Sequence, residues 1–305
     1  MVGPFPYIGT FSHGRGTHAL EKSQILTAFR SSAGKGGSPA RKGQPKPVRR
    51  HRVLSVKLYE FGNNRACTIF INSHGKGVNT IRIAHFSDFH IHTAQELDRA
   101  LKLVRHAISQ GTDHIVITGD LVDAAEVRFV EQFWLGLKHL GWDPWDRVTY
   151  TLGNHDVFPL PGRLIPDKDN LPEFTRPTSN ATQVLEITES SRIGDGCFPL
   201  VEGEEYPVGK ILTSDVVIAA LDTTRHGRYN PRRWGEGELP KSHMRAVDRF
   251  FELYPHVRHR IIAMHHTPWH EDLVGDRWLP QNFADPEPEA MMRWLERSGA
   301  TFCLC

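Results

Sequence analysis

Four short polar groups, each directly after an apolar run, carry the residue types of a metal-dependent hydrolytic site. They are DFH at residues 88–90, GDLVD at 119–123, GNHD at 153–156 and HHTP at 265–268. Carboxylate, amide and imidazole ligands suit Fe, Mn, Zn or Co better than Ca or a closed zinc–cysteine site. Two such ions about 3.5–4 Å apart can activate water and neutralise the transition state of phosphate-ester hydrolysis. The residue types therefore predict a two-metal site for that chemistry.

The apolar runs before these groups predict four strands, at residues 81–87, 114–118, 147–152 and 260–264. Each strand would deliver its polar group at its carboxyl end, where sites form in α/β sheets. Residues two apart in an extended segment point the same way, so we expect Asp88 and His90 to face one ion.

The helices between the strands are predicted from caps and apolar spacing. Thr93 and Glu96 form a capping box that begins a helix ending near Gly111. Further helices are expected at residues 126–140 and 287–298, and at a segment capped by Ser242 whose apolar residues, Leu253 among them, are partly buried. Alternating strands and helices indicate the α/β class.

The blocks SDFH, GDLVD, GNHD and HHTP, in this order and each after a strand, resemble four of the five signature blocks of the calcineurin-like metallophosphoesterases. The resemblance covers about residues 80–305 and includes the run 217–224, which is similar to the strand before the fourth block. Within that family, the sequence is most similar to the smaller bacterial phosphodiesterases that act on cyclic nucleotides, glycerophosphodiesters or similar small diesters. The resemblance implies a four-layer α-β-β-α sandwich of two mixed sheets flanked by helices. It also implies hydrolysis of phosphate mono- or diesters through attack of a metal-bridging hydroxide.

The resemblance further assigns the metal ligands. Asp88 and His90 would bind the first metal, Asp120 would bridge both metals, and Asn154 and His265 would bind the second. The cofactors would be two divalent or mixed-valence transition-metal ions, Fe, Mn, Zn or Co.

His155 is the expected catalytic residue, placed near the leaving-group oxygen as general acid or transition-state stabiliser and not as a ligand. Asp123 and Asp156 are expected to hold loops and imidazoles in place. His266 is an alternative to His265 as the ligand; His265 is preferred because it follows the strand directly.

The fifth block of the family, Gly-His-x-His after a further strand, does not occur in this sequence. Residues 300–305 read as that strand, and the sequence stops at Cys305. We expect either a C-terminally incomplete sequence or a short protein without the block. Each metal would then miss one ligand and the activity of this chain would be impaired. The alternative function is a non-catalytic scaffold of the same fold, as in a retromer subunit.

Charge and composition bound the partners. Residues 1–57 hold 11 of the 37 Lys and Arg residues but one of the 35 Asp and Glu residues, so the remainder is net negative. An acidic body suits a cation site and a small phosphate-ester substrate, and makes nucleic acid an unlikely partner. There is no apolar stretch of membrane-spanning length. The four cysteines lack metal-binding spacing, so a reducing compartment, the cytoplasm, is expected.

Three segments are predicted along the chain. Residues 1–52 form a basic leader expected to be disordered, 53–79 an extension with a strand or two, and 80–305 the metallophosphoesterase domain. The leader could bind a polyanion, could be an organelle transit segment, or could reflect a start assigned too early, with the native start near Val78. We favour the last.

Two regions of the sequence are predicted to be loops. Residues 157–210 are rich in proline and are expected to be a long loop with short helices and one or two strands. Residues 225–237 hold four arginines, which could clamp phosphate, although a solvated loop is the preferred interpretation.

Overall fold

The computed structural model describes residues 7–8, 20–24, 54–61, 64–71, 81–158, 177–192, 196–225, 235–268 and 283–305. The strands of this part of the chain are β1 (Tyr7–Ile8), β2 (Leu20–Gln24), β3 (Leu54–Phe61), β4 (Asn64–Ile71), β5 (Ile81–Ser87), β6 (His114–Thr118), β7 (Val148–Thr151), β8 (Cys197–Pro199), β9 (Val208–Thr213), β10 (Val216–Ala220), β11 (Gly237–Glu238), β12 (His259–Ala263), β13 (Phe283–Asp285) and β14 (Phe302–Leu304). The helices are α1 (Ala94–Ser109), α2 (Val127–His139), α3 (Pro144–Arg147), α4 (Asn154–Val157), α5 (Pro177–Ile187), α6 (Lys241–Leu253) and α7 (Pro288–Ser298), with a 3₁₀ turn at Glu189–Ser191.

Two six-stranded mixed sheets form the body of the protein. The first has the order β2-β3-β4-β5-β6-β7, antiparallel as far as β5 and parallel from β5 to β7. The second has the order β1-β14-β12-β10-β9-β8, parallel from β1 to β10 and antiparallel beyond. β11 and β13 form a separate parallel pair.

The sheets pack face to face, with helices on the two outer faces. Ile83 and Val116 of the first sheet share one buried cluster with Ile218 and Ile261 of the second. The outer face of the first sheet packs against α1, α2 and α5, and that of the second against α6 and α7. The expected four-layer α-β-β-α sandwich is therefore confirmed.

The two ends of α1 are as the sequence predicts, because each end depends on residues that are close together in the chain. The Thr93 hydroxyl accepts the Glu96 N–H at 3.2 Å, and the Glu96 carboxylate accepts the Thr93 N–H at 3.0 Å, which closes the capping box. The helix ends at Ser109, with Gln110 at its C-cap position, and the next residue is Gly111, whose φ of +80° suits glycine. The helix that connects the parallel strands β5 and β6 therefore has a defined start and a defined end.

Two predictions about α6 were wrong. The helix begins at Lys241 with Pro240, not Ser242, at its N-cap position. Leu253, expected to be partly buried, is 72% exposed at the last residue of the helix. The apolar spacing places Phe250 and Phe251 correctly in the core, but it does not locate where the helix leaves the sheet.

The N-terminal segments add strands to both sheets. The expected extension forms an antiparallel hairpin of β3 and β4, and β4 pairs antiparallel with β5. Within residues 1–52, where no strand pattern was evident, β1 pairs with β14 and β2 with β3. The rest of that leader lies outside the described residues. The domain boundary at residue 80 stays a prediction, and the sheet continues across it.

The proline-rich region 157–210 contains α5, the 3₁₀ turn, β8 and β9, as expected, while residues 159–176 lie outside the description. Of the arginine-rich loop, residues 226–234 also lie outside it. Arg225, at its start, donates to the Glu204 carboxylate at 3.0 Å.

Candidate metal centre

The predicted ligands come from the carboxyl ends of parallel strands in both sheets. β5, β6 and β7 are followed by Asp88, Asp120 and Asn154, and β12 of the second sheet is followed by His265. Because the two sheets pack face to face with these ends together, residues up to 177 positions apart in sequence meet at one edge of the sandwich.

Three of the predicted site residues have a positive backbone φ angle. Asp88, His90 and Asp120 have φ values of 57°, 47° and 50°, in the left-handed region that few residues other than glycine adopt. The loops are held there by hydrogen bonds from the His90 N–H to the Asp120 carbonyl at 2.9 Å and from the Ile91 N–H to the Leu121 carbonyl at 3.0 Å. Such strain concentrates at functional sites.

The expected geometry of Asp88 and His90 was therefore wrong, although their proximity was right. They do not converge through the alternation of an extended strand. Two left-handed residues after β5 bring the Asp88 Oδ1 and His90 Nε2 atoms to 3.9 Å.

The Asp120 carboxylate lies at the centre of the cluster and is 0% exposed. Its Oδ1 accepts the backbone N–H of His155 at 2.8 Å. Its Oδ2 accepts no hydrogen bond from any described residue. Instead it faces three imidazole Nε2 atoms, those of His265 at 3.4 Å, His90 at 3.7 Å and His155 at 4.0 Å. Burial alone would raise the pKa of Asp120, but the positive field of these three imidazoles, with the amide of His155, lowers it.

His265 is oriented as a ligand. Its Nδ1 lies 2.8 Å from the Thr118 carbonyl oxygen, which can only accept, so Nδ1 carries the proton. Its Nε2 lies 2.8 Å from Asn154 Oδ1 and 3.4 Å from Asp120 Oδ2. These three atoms can share a cation between them, either a proton on Nε2 or a metal ion. The residues present therefore fit a bound metal ion.

His266 points elsewhere. Its Nδ1 lies 2.7 Å from the hydroxyl oxygen of Thr223, and its ring packs edge-on against Phe283. Of the two adjacent histidines, His265 is the one the structure places beside Asp120 and Asn154.

Two donor sets share Asp120. One joins Asp88, Asp120 and His265, the other joins His90, Asp120 and His155, and the ligand atoms within each set lie within 4.8 Å of one another. A carboxylate common to two sets is what a bridge between two ions requires. The grouping differs from the one implied by the resemblance, which paired Asp88 with His90 and kept His155 out of the ligand set.

His155 is also set up to hold a proton. Its Nδ1 donates to the Asp123 carbonyl at 2.8 Å and lies 3.3 Å from the Asp123 carboxylate. Burial lowers the pKa of His155, but the Asp120 and Asp123 carboxylates outweigh it and raise the pKa to about 9. The imidazole is therefore protonated at neutral pH in the metal-free protein.

Two glycines let the strand ends of β6 and β7 approach. A Cβ at Gly153 would overlap the Asp120 carboxylate and backbone nitrogen. A Cβ at Gly119, whose φ is +83°, would come within 2.9 Å of His265 Nδ1. The glycines before Asp120 and Asn154 thus serve the close approach of the ligand loops.

Sequence reasoning missed several residues that orient the ligands. Ser87 donates its hydroxyl to Asp88 Oδ2, the Thr118 carbonyl orients His265, and the Tyr150 hydroxyl donates to Asp156 Oδ2 at 2.7 Å. Ser87 stands beside a predicted ligand, which was the one signal available. Thr118 and Tyr150 read as ordinary strand residues, and nothing in their spacing distinguishes them.

Comparison with known proteins places the chain in a family. A dimetal phosphatase from Danio rerio is similar in structure, with 15% identity and a TM-score of 0.42 over 72% of this chain and 78% of that one. No curated protein sequence matches the chain. The model of the calcineurin-like phosphoesterase family matches residues 81–305, a segment that contains all four ligand-bearing loops. The chain is therefore a member of the calcineurin-like phosphoesterase family.

Proposed function

We propose that the protein is a metal-dependent phosphoesterase that binds two transition-metal ions around Asp120 and hydrolyses small phosphate mono- or diesters. The observation that carries this proposal is the Asp120 Oδ2 atom, which is buried and accepts no hydrogen bond from the described residues while three imidazole nitrogens face it. Membership in the phosphoesterase family supports it.

Asp120 would bridge the two ions, with Asp88, His90, Asn154 and His265 completing their shells. Bound there, two ions supply Lewis-acid activation of water and charge neutralisation at phosphorus. The mixed oxygen and nitrogen donors suit Fe, Mn, Zn or Co. The chain itself fixes the orientation of these donors, since the Ser87 hydroxyl and the Thr118 carbonyl hold Asp88 and His265.

His155 would act as the general acid. The Asp123 backbone carbonyl accepts a hydrogen bond from Nδ1–H and fixes the ring, which leaves the proton on Nε2 available to the leaving-group oxygen. Loss of such a proton donor typically lowers the reaction rate by about 10²–10⁴-fold. The same atom lies 4.0 Å from Asp120 Oδ2, so the ring is close enough to the ions to stabilise developing negative charge as well.

Substrate and location are proposed from charge and chemistry. The net negative charge outside residues 1–57 favours a small phosphate ester over a nucleic-acid backbone. The cysteines Cys197, Cys303 and Cys305 are free thiols, which supports a reducing compartment such as the cytoplasm. Among the described helices, none has the length and apolar character needed to cross a membrane.

The test is Mn²⁺-dependent hydrolysis of p-nitrophenyl phosphate and bis(p-nitrophenyl) phosphate by the wild type and Asp120→Asn. Asp98→Asn is a matched control, because it removes the same charge at an exposed position of α1, 60% accessible, where the carboxylate contacts Lys102 alone in the described structure. We expect activity in the wild type and the control, and at least ~100-fold less in Asp120→Asn. Equal rates in all three would refute the proposal. Mn²⁺ binding without hydrolysis would favour the scaffold alternative.

A further inference from the structure

A single buried carboxylate joins two of the ligand-bearing loops. Asp156 is 0% exposed, and its two oxygens accept three hydrogen bonds. Oδ1 accepts the N–H of Val122 at 3.1 Å, in the loop that begins with Asp120. Oδ2 accepts the N–H of Gly153 at 2.8 Å, directly before Asn154, and the hydroxyl of Tyr150 at 2.7 Å.

The two backbone amides and the Tyr150 hydroxyl connect Asp156 to different parts of the structure. The two amides belong to the loops that carry the ligands, so their bonds to Asp156 tie one loop to the other. Tyr150 lies in β7, whose register with β6 pairs Ile117 with Tyr150. Its hydroxyl therefore ties the carboxylate, and with it both loops, to the rigid sheet.

The Tyr150 ring has little freedom to move. It is 0% exposed and packs edge-on against Trp134, with ring centroids 5.6 Å apart. A hydroxyl held in a close-packed core fixes its partner more firmly than one on a mobile loop. No other described side chain donates a hydrogen bond to the Asp156 carboxylate.

We propose that Tyr150 is a positioning residue of the metal site, which acts through Asp156 to hold Asp120 and Asn154 at the separation that metal binding requires. It does not touch the ligand atoms. The proposal rests on the metal binding proposed above, but not on hydrolysis. Removal of an outer partner of this kind typically lowers metal affinity 10–100-fold.

The protein offers a matched control in Tyr206. Its hydroxyl is also buried and donates to the backbone carbonyl of Tyr150 at 2.5 Å, so Tyr206→Phe removes a buried hydroxyl from the same region. That hydroxyl donates to a backbone carbonyl, whereas the donors to the Asp156 carboxylate are Val122, Gly153 and Tyr150. Tyr150→Phe and Tyr206→Phe therefore share a general cost of deleting a buried hydroxyl and differ in the link to the carboxylate.

The experiment measures Mn²⁺ affinity of the full chain by isothermal titration calorimetry, with circular dichroism to check folding. We expect Tyr150→Phe to bind about 10-fold more weakly, and Tyr206→Phe to remain within a factor of about two. If hydrolysis is measurable, the Mn²⁺ concentration for half-maximal rate rises by the same factor in Tyr150→Phe, while kcat at saturating Mn²⁺ changes little. Wild-type affinity in Tyr150→Phe, or an equal loss in Tyr206→Phe, overturns the proposal.

A second variant covers the case in which Tyr150→Phe folds poorly. Asp156→Asn keeps the size of the side chain but leaves one acceptor oxygen in place of two, so at least one of the three hydrogen bonds is lost and Mn²⁺ binding should weaken. Because Tyr150 acts through Asp156, the loss of Mn²⁺ affinity in the double variant should be smaller than the sum of the two single losses. Additive losses would show that Tyr150 acts by another route. A wild type that binds Mn²⁺ without hydrolysis refutes the proposed activity and leaves this comparison decisive. A wild type that does not bind Mn²⁺ overturns this inference too.

Discussion

The approach of Gly153 to Asp120 allows the placement of the Asp120 carboxylate to be tested by a single methyl group. Gly153 has a φ of −103°, which alanine adopts freely, so Gly153→Ala introduces no backbone strain. The added Cβ would lie 2.9 Å from Asp120 Cγ and would overlap the backbone nitrogen and Oδ1. Carbon atoms in contact lie about 3.5–4.0 Å apart, so the backbone and the carboxylate of Asp120 must both move by about 1 Å.

A shift of about 1 Å in a catalytic constellation costs about 10²-fold in rate, or about 2.7 kcal/mol in transition-state stabilisation. Overpacking by one methyl group also costs about 1–3 kcal/mol of folding stability. We therefore expect kcat/KM for Mn²⁺-dependent hydrolysis of bis(p-nitrophenyl) phosphate to fall about 100-fold in Gly153→Ala, and the chain to remain folded at 25 °C.

The control is Gly235→Ala, where a Cβ meets no heavy atom of the described residues within 4 Å. It adds the same methyl group and should retain the wild-type kcat/KM. Activity is measured with thermal unfolding of each variant, so that loss of fold is separated from loss of geometry. Wild-type kcat/KM in Gly153→Ala would refute the placement of Asp120 at the centre of the site.

Three further predictions follow from the described contacts. His265→Gln should lower Mn²⁺ affinity by about 100-fold, because a ligand is lost, whereas His266→Gln should change it little; calorimetry on both variants decides, and equal losses would contradict the assignment. Thr93→Ala should cost about 1 kcal/mol of unfolding free energy through loss of the α1 cap, with unchanged activity; chemical denaturation measures it, and an unchanged midpoint would count against the cap. Burial lowers the pKa of His85 to about 4, so its neutral form stabilises the folded state above about pH 6.5, and that contribution is lost as pH falls toward 4. The metal-free wild type should lose about 2 kcal/mol more than His85→Gln between pH 7 and pH 5 in urea unfolding, and parallel losses would refute it.

The sequence predicts most of the central strands because their signals are local. Ile81–Ser87 and His114–Thr118 are the predicted segments to the residue, since each is a β-branched run ended by a polar group. The ligand residues follow from those ends. Three loops of the first sheet meet because its parallel strands share a carboxyl edge, and that rule needs no coordinates. The loop after β12 joins them through the packing of the two sheets.

The other features of the site and fold depend on contacts between residues far apart in the chain, and no local sequence pattern predicts such contacts. The left-handed backbone of Asp88 and Asp120 is imposed by hydrogen bonds between the two loops. The part that Tyr150 plays depends on where Asp156 returns to the core, six residues later in the chain. The N-terminus of α6 was misplaced because Ser242 has the right side chain for a cap, while the observed N-cap residue, Pro240, lies two residues earlier.

The pairing of β4 with β5 has a practical consequence for any shortened form of the protein. Seven residue pairs join these strands, from Arg65 with Ser87 to Ile71 with Ile81. A chain that begins at residue 79 would leave one side of β5 with its amide and carbonyl groups open, next to the strand end that carries Asp88. Open edges of this kind recruit strands from other molecules and lead to aggregation. A chain that begins before β3 would keep that side covered, and it is the shorter form to prepare for crystallisation and assays.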